Sequence, residues 1–236
     1  MQPRLRRRAA LALGAVLFLP GRAGARGAPC CGPVTSNGML LARFLDRTGV
    51  EQLWRSGWHV DWLSGRTNRP EPGGAEAKTH CSAFVASVAA RLGAYVPRPP
   101  AHRQELLANA QMAWLEARGA TEGWHGAADE AAAQGLANRG LLALASWRNP
   151  NPHRPGHIAV VRPSAKAATE LASDGPQITR SGSRNYLSTT LRTGFGRRRP
   201  DVRFFARDIA GDPPPLRNPP PAPPPAAPSA PAPAAA

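Results

Sequence analysis

The stretch Thr79-His80-Cys81-Ser82-Ala83-Phe84-Val85-Ala86-Ser87-Val88-Ala89-Ala90-Arg91-Leu92-Gly93 predicts an amphipathic helix with a cysteine in its first turn. Its larger apolar residues recur at helical spacing and predict a buried stripe of Phe84, Val85, Val88, Ala89 and Leu92. Thr79 is the expected N-cap and Gly93 the expected stop. Cys81 then lies where free backbone N–H groups and the helix dipole favour a thiolate. A cysteine that serves only as a small core residue fits this stretch equally well.

A second stretch, Pro155-Gly156-His157-Ile158-Ala159-Val160-Val161, predicts a turn followed by a strand that begins at His157. Gly156 would let another backbone or a substrate come close. The apolar run 141–147 and the turn 149–155 predict an antiparallel hairpin with this strand. A thiol on a rigid helix and an imidazole on a rigid strand form the arrangement that a cysteine nucleophile needs.

With these two motifs in this order, the chain resembles the compact papain-like cysteine hydrolases, namely the NlpC/P60 and CHAP cell-wall peptidases and amidases. The resemblance covers residues 79–205, about half of the chain. It implies a papain-like α+β domain with helices first and a small antiparallel sheet behind them. It also implies cleavage of amide bonds in peptidoglycan without a cofactor. The chain departs from the family at His80, where Asp is common, and at Ala83, where Gly is frequent.

The implied mechanism assigns Cys81 as the nucleophile, with its backbone N–H as the oxyanion donor, and His157 as the group that carries the proton. A polar residue on the following strand should orient the imidazole. Arg180 occupies the nearest slot but has no acceptor atom. Gln177, at the start of that strand, is therefore the predicted third catalytic residue, and Asn185 is the second choice.

Three residues are predicted to contact substrate. His80 should be exposed by helix geometry, and its replacement of the family's Asp leaves the usual stem-peptide specificity open. Ser82 is the family's usual residue after the cysteine, although a hydrogen bond at the helix N-terminus would also explain it. Asn185 is the third residue predicted to contact substrate.

The ends of the chain have a different composition from its centre. Residues 1–25 carry an arginine-rich start, a short apolar run and an Ala-Gly-Ala site, which predict a secretory signal peptide. Residues 26–210 are the expected hydrolase domain, and the Pro/Ala-rich residues 211–236 are expected to be disordered or polyproline-II. No later segment is long enough for a transmembrane helix. The expected location is secreted or periplasmic.

The chain is strongly basic, with a formal net charge of +15 that becomes +10 without the five arginines of the leader. An exported basic protein is attracted to peptidoglycan or another envelope polyanion. A high-GC genome that uses Arg in place of Lys explains the charge equally well. Nucleic acid is not an expected partner, because the basic residues are scattered and aromatic residues do not interleave with them.

The three cysteines leave at least one thiol free. Cys81 can be that thiol while Cys30 or Cys31 pairs between chains. Cys30 can instead be lipidated, although Pro29 directly before it argues against this processing. A disulfide between Cys30 and Cys81 would abolish the chemistry. No metal site is expected, because adjacent cysteines lack the spacing of metal ligands.

Two other functions remain open at this stage. One is a non-catalytic envelope-binding module that kept the papain-like fold. The other is a cysteine-dependent acyltransferase, which uses the same Cys81 and His157 but delivers the acyl group to an acceptor other than water.

The remaining pattern predicts a layout of further elements. Helices are expected at residues 36–54, with an interruption near Gly49, at 102–117 and at 127–138. Further strands are expected at 177–181 and 202–205. Residues 57–62, 163–175 and 186–195 are expected to be loops.

Overall fold

The computed structural model describes residues 29–71 and 78–209. Within these ranges, six α-helices and two antiparallel sheets confirm the predicted α+β class. The predicted leader at 1–25 and the Pro/Ala-rich tail at 211–236 lie outside the described residues.

The helices of the described chain are α1 (Ser36–Asp46), α2 (Cys81–Arg91), α3 (Leu107–Arg118), α4 (Glu130–Asn138), α5 (Ala168–Asp174) and α6 (Leu191–Phe195). Its strands are β1 (Trp58–Val60), β2 (Thr67–Pro70), β3 (Trp124–Ala127), β4 (Leu142–Trp147), β5 (His157–Val161), β6 (Gln177–Arg180), β7 (Tyr186–Thr190) and β8 (Arg203–Arg207). Short 3₁₀ turns cover Gly119–Glu122 and Gly196–Asp201.

Helix α2 is the central helix of the fold, and it is buried on every side rather than along one stripe. All residues from Cys81 to Ala90 are buried. The physical reason is the small size of the residues that alternate with the predicted stripe, since alanine and serine let neighbouring elements approach closely on all faces. These small residues are Ala83, Ala86, Ser87 and Ala90.

The two ends of α2 differ in how well the sequence predicted them. The N-cap is His80 rather than Thr79, and no side chain caps the helix. The predicted stop is confirmed: Gly93 has a φ of +72°. The N–H groups of Gly93 and Ala94 donate to the carbonyls of Ala90 and Ala89, at 3.2 and 2.8 Å. This is a Schellman motif, which favours glycine at the left-handed position.

The main sheet has six strands in the order β3-β8-β4-β5-β6-β7, and every neighbouring pair is antiparallel. The predicted hairpin of β4 and β5 is confirmed, with Trp147 opposite His157. Since successive residues of a strand point to opposite faces, β5 contributes to two cores. Ile158 and Val160 pack with α2, whereas Ala159 and Val161 belong to the cluster on the other face, which includes residues of α4 and α6.

Three segments predicted to be loops contain regular structure. Residues 57–62 include β1, which pairs with β2 in a small separate sheet. Residues 163–175 include α5, and residues 186–195 form β7 followed by α6. The serine, threonine and glycine of that last stretch suggested a loop, but Thr190 caps α6 by accepting from the N–H of Thr193.

Cys30 and Cys31 form a disulfide with each other, and Cys81 is free and buried. The structure therefore does not contain the Cys30–Cys81 bridge that would have blocked the Cys81 thiol.

Candidate functional site

Cys81 is the first residue of α2 and has only 4% of its surface exposed. Burial raises the pKa of its thiol, and this outweighs the backbone hydrogen bonds from Ile158 and Ser82 and the nearby Arg180 charge, which lower it. The sequence suggested the reverse, because a cysteine in a first turn is usually close to solvent. Here the enclosure of the whole helix removes the water that would stabilise a thiolate.

His157 is the first residue of β5 and is 7% exposed. Its ring lies 4.8 Å from the ring of Phe195, between centroids, and its Nε2 lies 3.5 Å from Nη1 of Arg180. Desolvation, together with the smaller effects of the Arg180 and Arg198 charges, lowers the pKa of His157 to about 3. The imidazole is therefore neutral at pH 7.

The contact with Arg180 also selects the tautomer of His157. A guanidinium only donates, so this 3.5 Å contact favours a ring in which Nε2 accepts and the proton is on Nδ1. An imidazole that takes a thiol proton at Nδ1 needs its own proton on Nε2. The resting arrangement thus favours the form of His157 that cannot accept a proton at Nδ1.

The structure brings Cys81 to the backbone of β5 rather than to the imidazole itself. The backbone of Ile158, the residue after His157, lies close enough to the Cys81 thiol to lower its pKa. Within the described ranges, no hydrogen bond joins the Cys81 thiol to the His157 ring, whose neighbours are Arg180 and Phe195. Cys81 therefore lies near the start of β5, where His157 is, but the thiol and the imidazole are not hydrogen-bonded to each other in this conformation.

Gln177 lies at the far end of the β5–β6 pair from His157. Its carbonyl accepts from the N–H of Arg162, and its side chain donates to Oγ of Ser188 at 2.8 Å. Arg162 is five residues beyond His157, a distance of about 16 Å along a strand. The structure therefore does not bring the predicted third residue to the imidazole, and Arg180 is the residue of β6 that reaches it.

Asn185 acts as an anchor for the loop between β6 and β7. Its Nδ2 donates to the carbonyls of Val50 and Leu53, at 2.8 and 2.7 Å. Its Oδ1 accepts from the N–H of Gly182 at 3.0 Å. With its amide engaged in this way, Asn185 fastens the loop to the segment after α1, in place of the substrate contact predicted from the sequence.

His80 and Ser82 are both buried, which corrects the expectation that His80 is exposed. His80 Nε2 lies 2.7 Å from the carbonyl oxygen of Trp58, and burial lowers the pKa of His80. The Ser82 carbonyl accepts from Nε2 of Gln111 at 3.0 Å. His80 still contributes to the wall of the neighbouring cleft.

A cleft of about 1080 Å³ lies beside these residues. Thr79 and His80, directly before Cys81, line it, and so does Pro155, two residues before His157. On the wall of the cleft, Glu71 bonds to Nδ1 of His59 at 3.1 Å and to Lys78 at 2.9 Å. The cleft is also lined by the charged residues Arg103, Glu105, Arg154 and Arg198.

One residue that holds the turn before His157, Asn109, had no recognised sequence signal of this role. Asn109, on α3, donates from Nδ2 to the Arg154 carbonyl at 2.9 Å and accepts the Asn149 N–H at 3.0 Å. A side chain at Gly156 would collide with this Asn109 oxygen and with the Trp147 carbonyl. The close approach expected at this glycine is thus made by the protein itself.

The described residues lack two features. They contain no group of three or more His, Cys, Asp or Glu side chains placed to hold a metal ion. None of their helices combines the length and the apolar character needed to span a bilayer.

No family model matches the chain, and no curated protein matches it either.

Proposed function

We propose that the protein is an exported cysteine hydrolase of papain-like architecture that cleaves amide bonds, with peptidoglycan peptides as its substrate. One observation carries this proposal. The residues that directly precede Cys81 and the turn that precedes His157 line the same cleft, and the backbone of Ile158, directly after His157, is close enough to lower the thiol pKa of Cys81. A substrate in that cleft would lie against both segments.

In the proposed reaction, the Cys81 sulfur bonds to the amide carbonyl carbon while its proton passes to His157. The backbone N–H of Cys81, free at the helix N-terminus, donates to the developing oxyanion. His157 then protonates the leaving nitrogen as the C–N bond breaks. Water attacks the thioester, releases the carboxylic acid and restores the thiol.

The resting electrostatics place a specific demand on this reaction. The thiol pKa is raised and the imidazole pKa is about 3, so both groups start neutral. Proton transfer must therefore accompany attack on the carbonyl instead of preceding it. His157 must also exchange its contact with Arg180 before Nδ1 can accept the thiol proton.

A non-catalytic envelope-binding module is the second candidate, and the Arg180–His157 contact favours it. A donor stands where the reaction needs an acceptor, and both reacting side chains are buried. The formal charge of +10 without the predicted leader would still attract the chain to an anionic cell wall. An acyltransferase shares the hydrolase chemistry and differs only in the acceptor that meets the thioester.

The deciding experiment incubates purified peptidoglycan with the full chain and with the Cys81→Ser and His157→Gln variants. New free amines and fragments are measured by mass spectrometry, with and without an added amine acceptor. A hydrolase releases products that both variants lose, and an acyltransferase yields an adduct with the added amine. Sedimentation with peptidoglycan without any product, by all three proteins alike, overturns the enzyme proposal and supports the binding module.

A further inference from the structure

Arg198 connects the cleft to the environment of His157. It lies in the 3₁₀ turn Gly196–Asp201 between α6 and β8, and it lines the cleft. Its guanidinium carbon lies 4.6 Å from the centroid of the Trp147 ring. Its charge lowers the pKa of His157, so it is close enough to act on that ring. Arg198 is therefore an exposed cation that lines the cleft and acts on the proposed reaction centre.

The charges that remain unpaired in the cleft are positive. Its two described carboxylates, Glu71 and Glu105, bond to Lys78. In contrast, none of the carboxylates in ranges 29–71 and 78–209 forms a salt bridge with the cleft arginines Arg103, Arg154 and Arg198. A ligand that enters the cleft thus meets three guanidinium groups that have no carboxylate partner within ranges 29–71 and 78–209.

We propose that the cleft selects peptides that carry a carboxylate, and that Arg198 is the residue that binds this carboxylate. The proposal deepens the proposed function, on which it rests for the identity of the bond that is cleaved. It names the substrate class as acidic peptides, with the acidic group close to the bond presented to Cys81.

The chemistry of Arg198 suits this role. A guanidinium binds a carboxylate with two parallel N–H···O bonds, a geometry that the ammonium group of lysine does not offer. Its stacking over Trp147 limits the orientations of the side chain before the ligand arrives. Less conformational freedom is then lost on binding.

The test measures binding in the Cys81→Ser full chain, so that no turnover interferes. The probes are two blocked tripeptides, acetyl-Ala-Glu-Ala-amide and acetyl-Ala-Gln-Ala-amide, titrated by calorimetry at low salt. The glutamate peptide should bind more tightly, by about 2- to 5-fold for each arginine that it reaches. Its advantage should shrink as salt is added, since exposed charges are screened.

Three variants isolate Arg198 as the residue responsible. Arg198→Ala should remove most of the preference for the glutamate peptide, and Arg198→Lys should restore part of it. Arg197→Ala is the matched control, because Arg197 is exposed, neighbours Arg198 and does not line the cleft. It should keep the preference, and equal melting temperatures of the variants would show that the fold is intact.

Equal binding of the two peptides, or binding of neither, overturns the proposal. So does an equal loss of preference in Arg197→Ala and Arg198→Ala, which would reflect net charge alone. Selective binding of the glutamate peptide without turnover by the wild-type chain leaves the acidic-peptide site standing and contradicts the hydrolase. Turnover of peptidoglycan without any preference for the glutamate peptide supports the hydrolase and contradicts the acidic-peptide site.

Discussion

Nη1 of Arg180 lies 3.5 Å from Nε2 of His157, in an interior where both side chains are more than nine-tenths buried. The guanidinium carbon also lies 5.2 Å from the centroid of the Tyr186 ring, and the Arg180 Nε has no hydrogen-bond partner among the described residues. A cation thus stands where the proposed reaction needs an acceptor. Desolvation, with the Arg180 charge as a smaller cause, keeps the His157 imidazole neutral at pH 7.

Replacing Arg180 with glutamine should activate the site. Glutamine removes the charge that lowers the pKa of His157 and offers a carbonyl oxygen to Nε2–H, which favours the tautomer able to accept a proton at Nδ1. We expect the rate of any amide cleavage at pH 7 to rise by about tenfold. The rate of Cys81 alkylation should not rise, because the Arg180 charge also lowers the thiol pKa. Arg180→Met, which removes the charge without adding an acceptor, is the control. Equal rates in the wild-type chain and in both variants would show that Arg180 does not hold the site inactive.

The Cys81 thiol should react as a neutral, protected thiol. Because burial raises its pKa above the ordinary value of 9.0, the iodoacetamide rate should stay low at neutral pH and rise only in alkaline solution. Cys30→Ser and Cys31→Ser remove the other two sulfurs, so that one thiol is measured. A reactivity plateau that extends below pH 7 would contradict this and would indicate a resting ion pair.

The stability of the fold should fall in acid through His157. Its folded pKa is about 3, below the ordinary 6.5, so the unfolded chain binds more protons between these values. The free energy of unfolding therefore drops as the pH falls from 6.5 toward 3. In His157→Gln, the slope should be smaller by up to about 1.4 kcal/mol per pH unit. Urea unfolding at pH 7, 5.5 and 4.5 measures this slope. Equal slopes in the wild-type chain and in His157→Gln would refute the lowered pKa of His157. His80, also with a lowered pKa, is present in both chains.

Substituting Gly156 with alanine should destabilise the protein by about 1 to 3 kcal/mol. A side chain there meets the Trp147 carbonyl and the Asn109 oxygen, so the turn before His157 has to shift. Gly126→Ala in β3 is the matched control, because a methyl group there meets nothing within 4 Å. Thermal unfolding compares the two, and equal melting temperatures would mean that the turn yields at little cost.

The sequence predicted the hairpin and the end of α2 because both have local causes. A left-handed glycine after an apolar run stops a helix, and two apolar runs around a proline-rich turn pair as a hairpin. The register that sets Trp147 opposite His157 follows from that turn. β6 and β8 were also predicted by short runs of strand-forming residues, and the structure contains both.

The surroundings of the site could not be read from local patterns, since they depend on contacts between distant segments. Asn185 bonds to carbonyls more than 130 residues earlier in the chain. Gln177 suited the third role by residue type, yet the β5–β6 register brings Arg180 to His157 instead. The thiol pKa depends on the enclosure of α2 by several elements, which no window of sequence reports.

The enclosure of α2 also determines when its atoms can meet solvent. A helix buried on every side has no local route of opening, so its amide protons should exchange with deuterium only when the entire fold opens. Slow exchange of these amides would therefore report the stability of the whole fold rather than the stability of one helix.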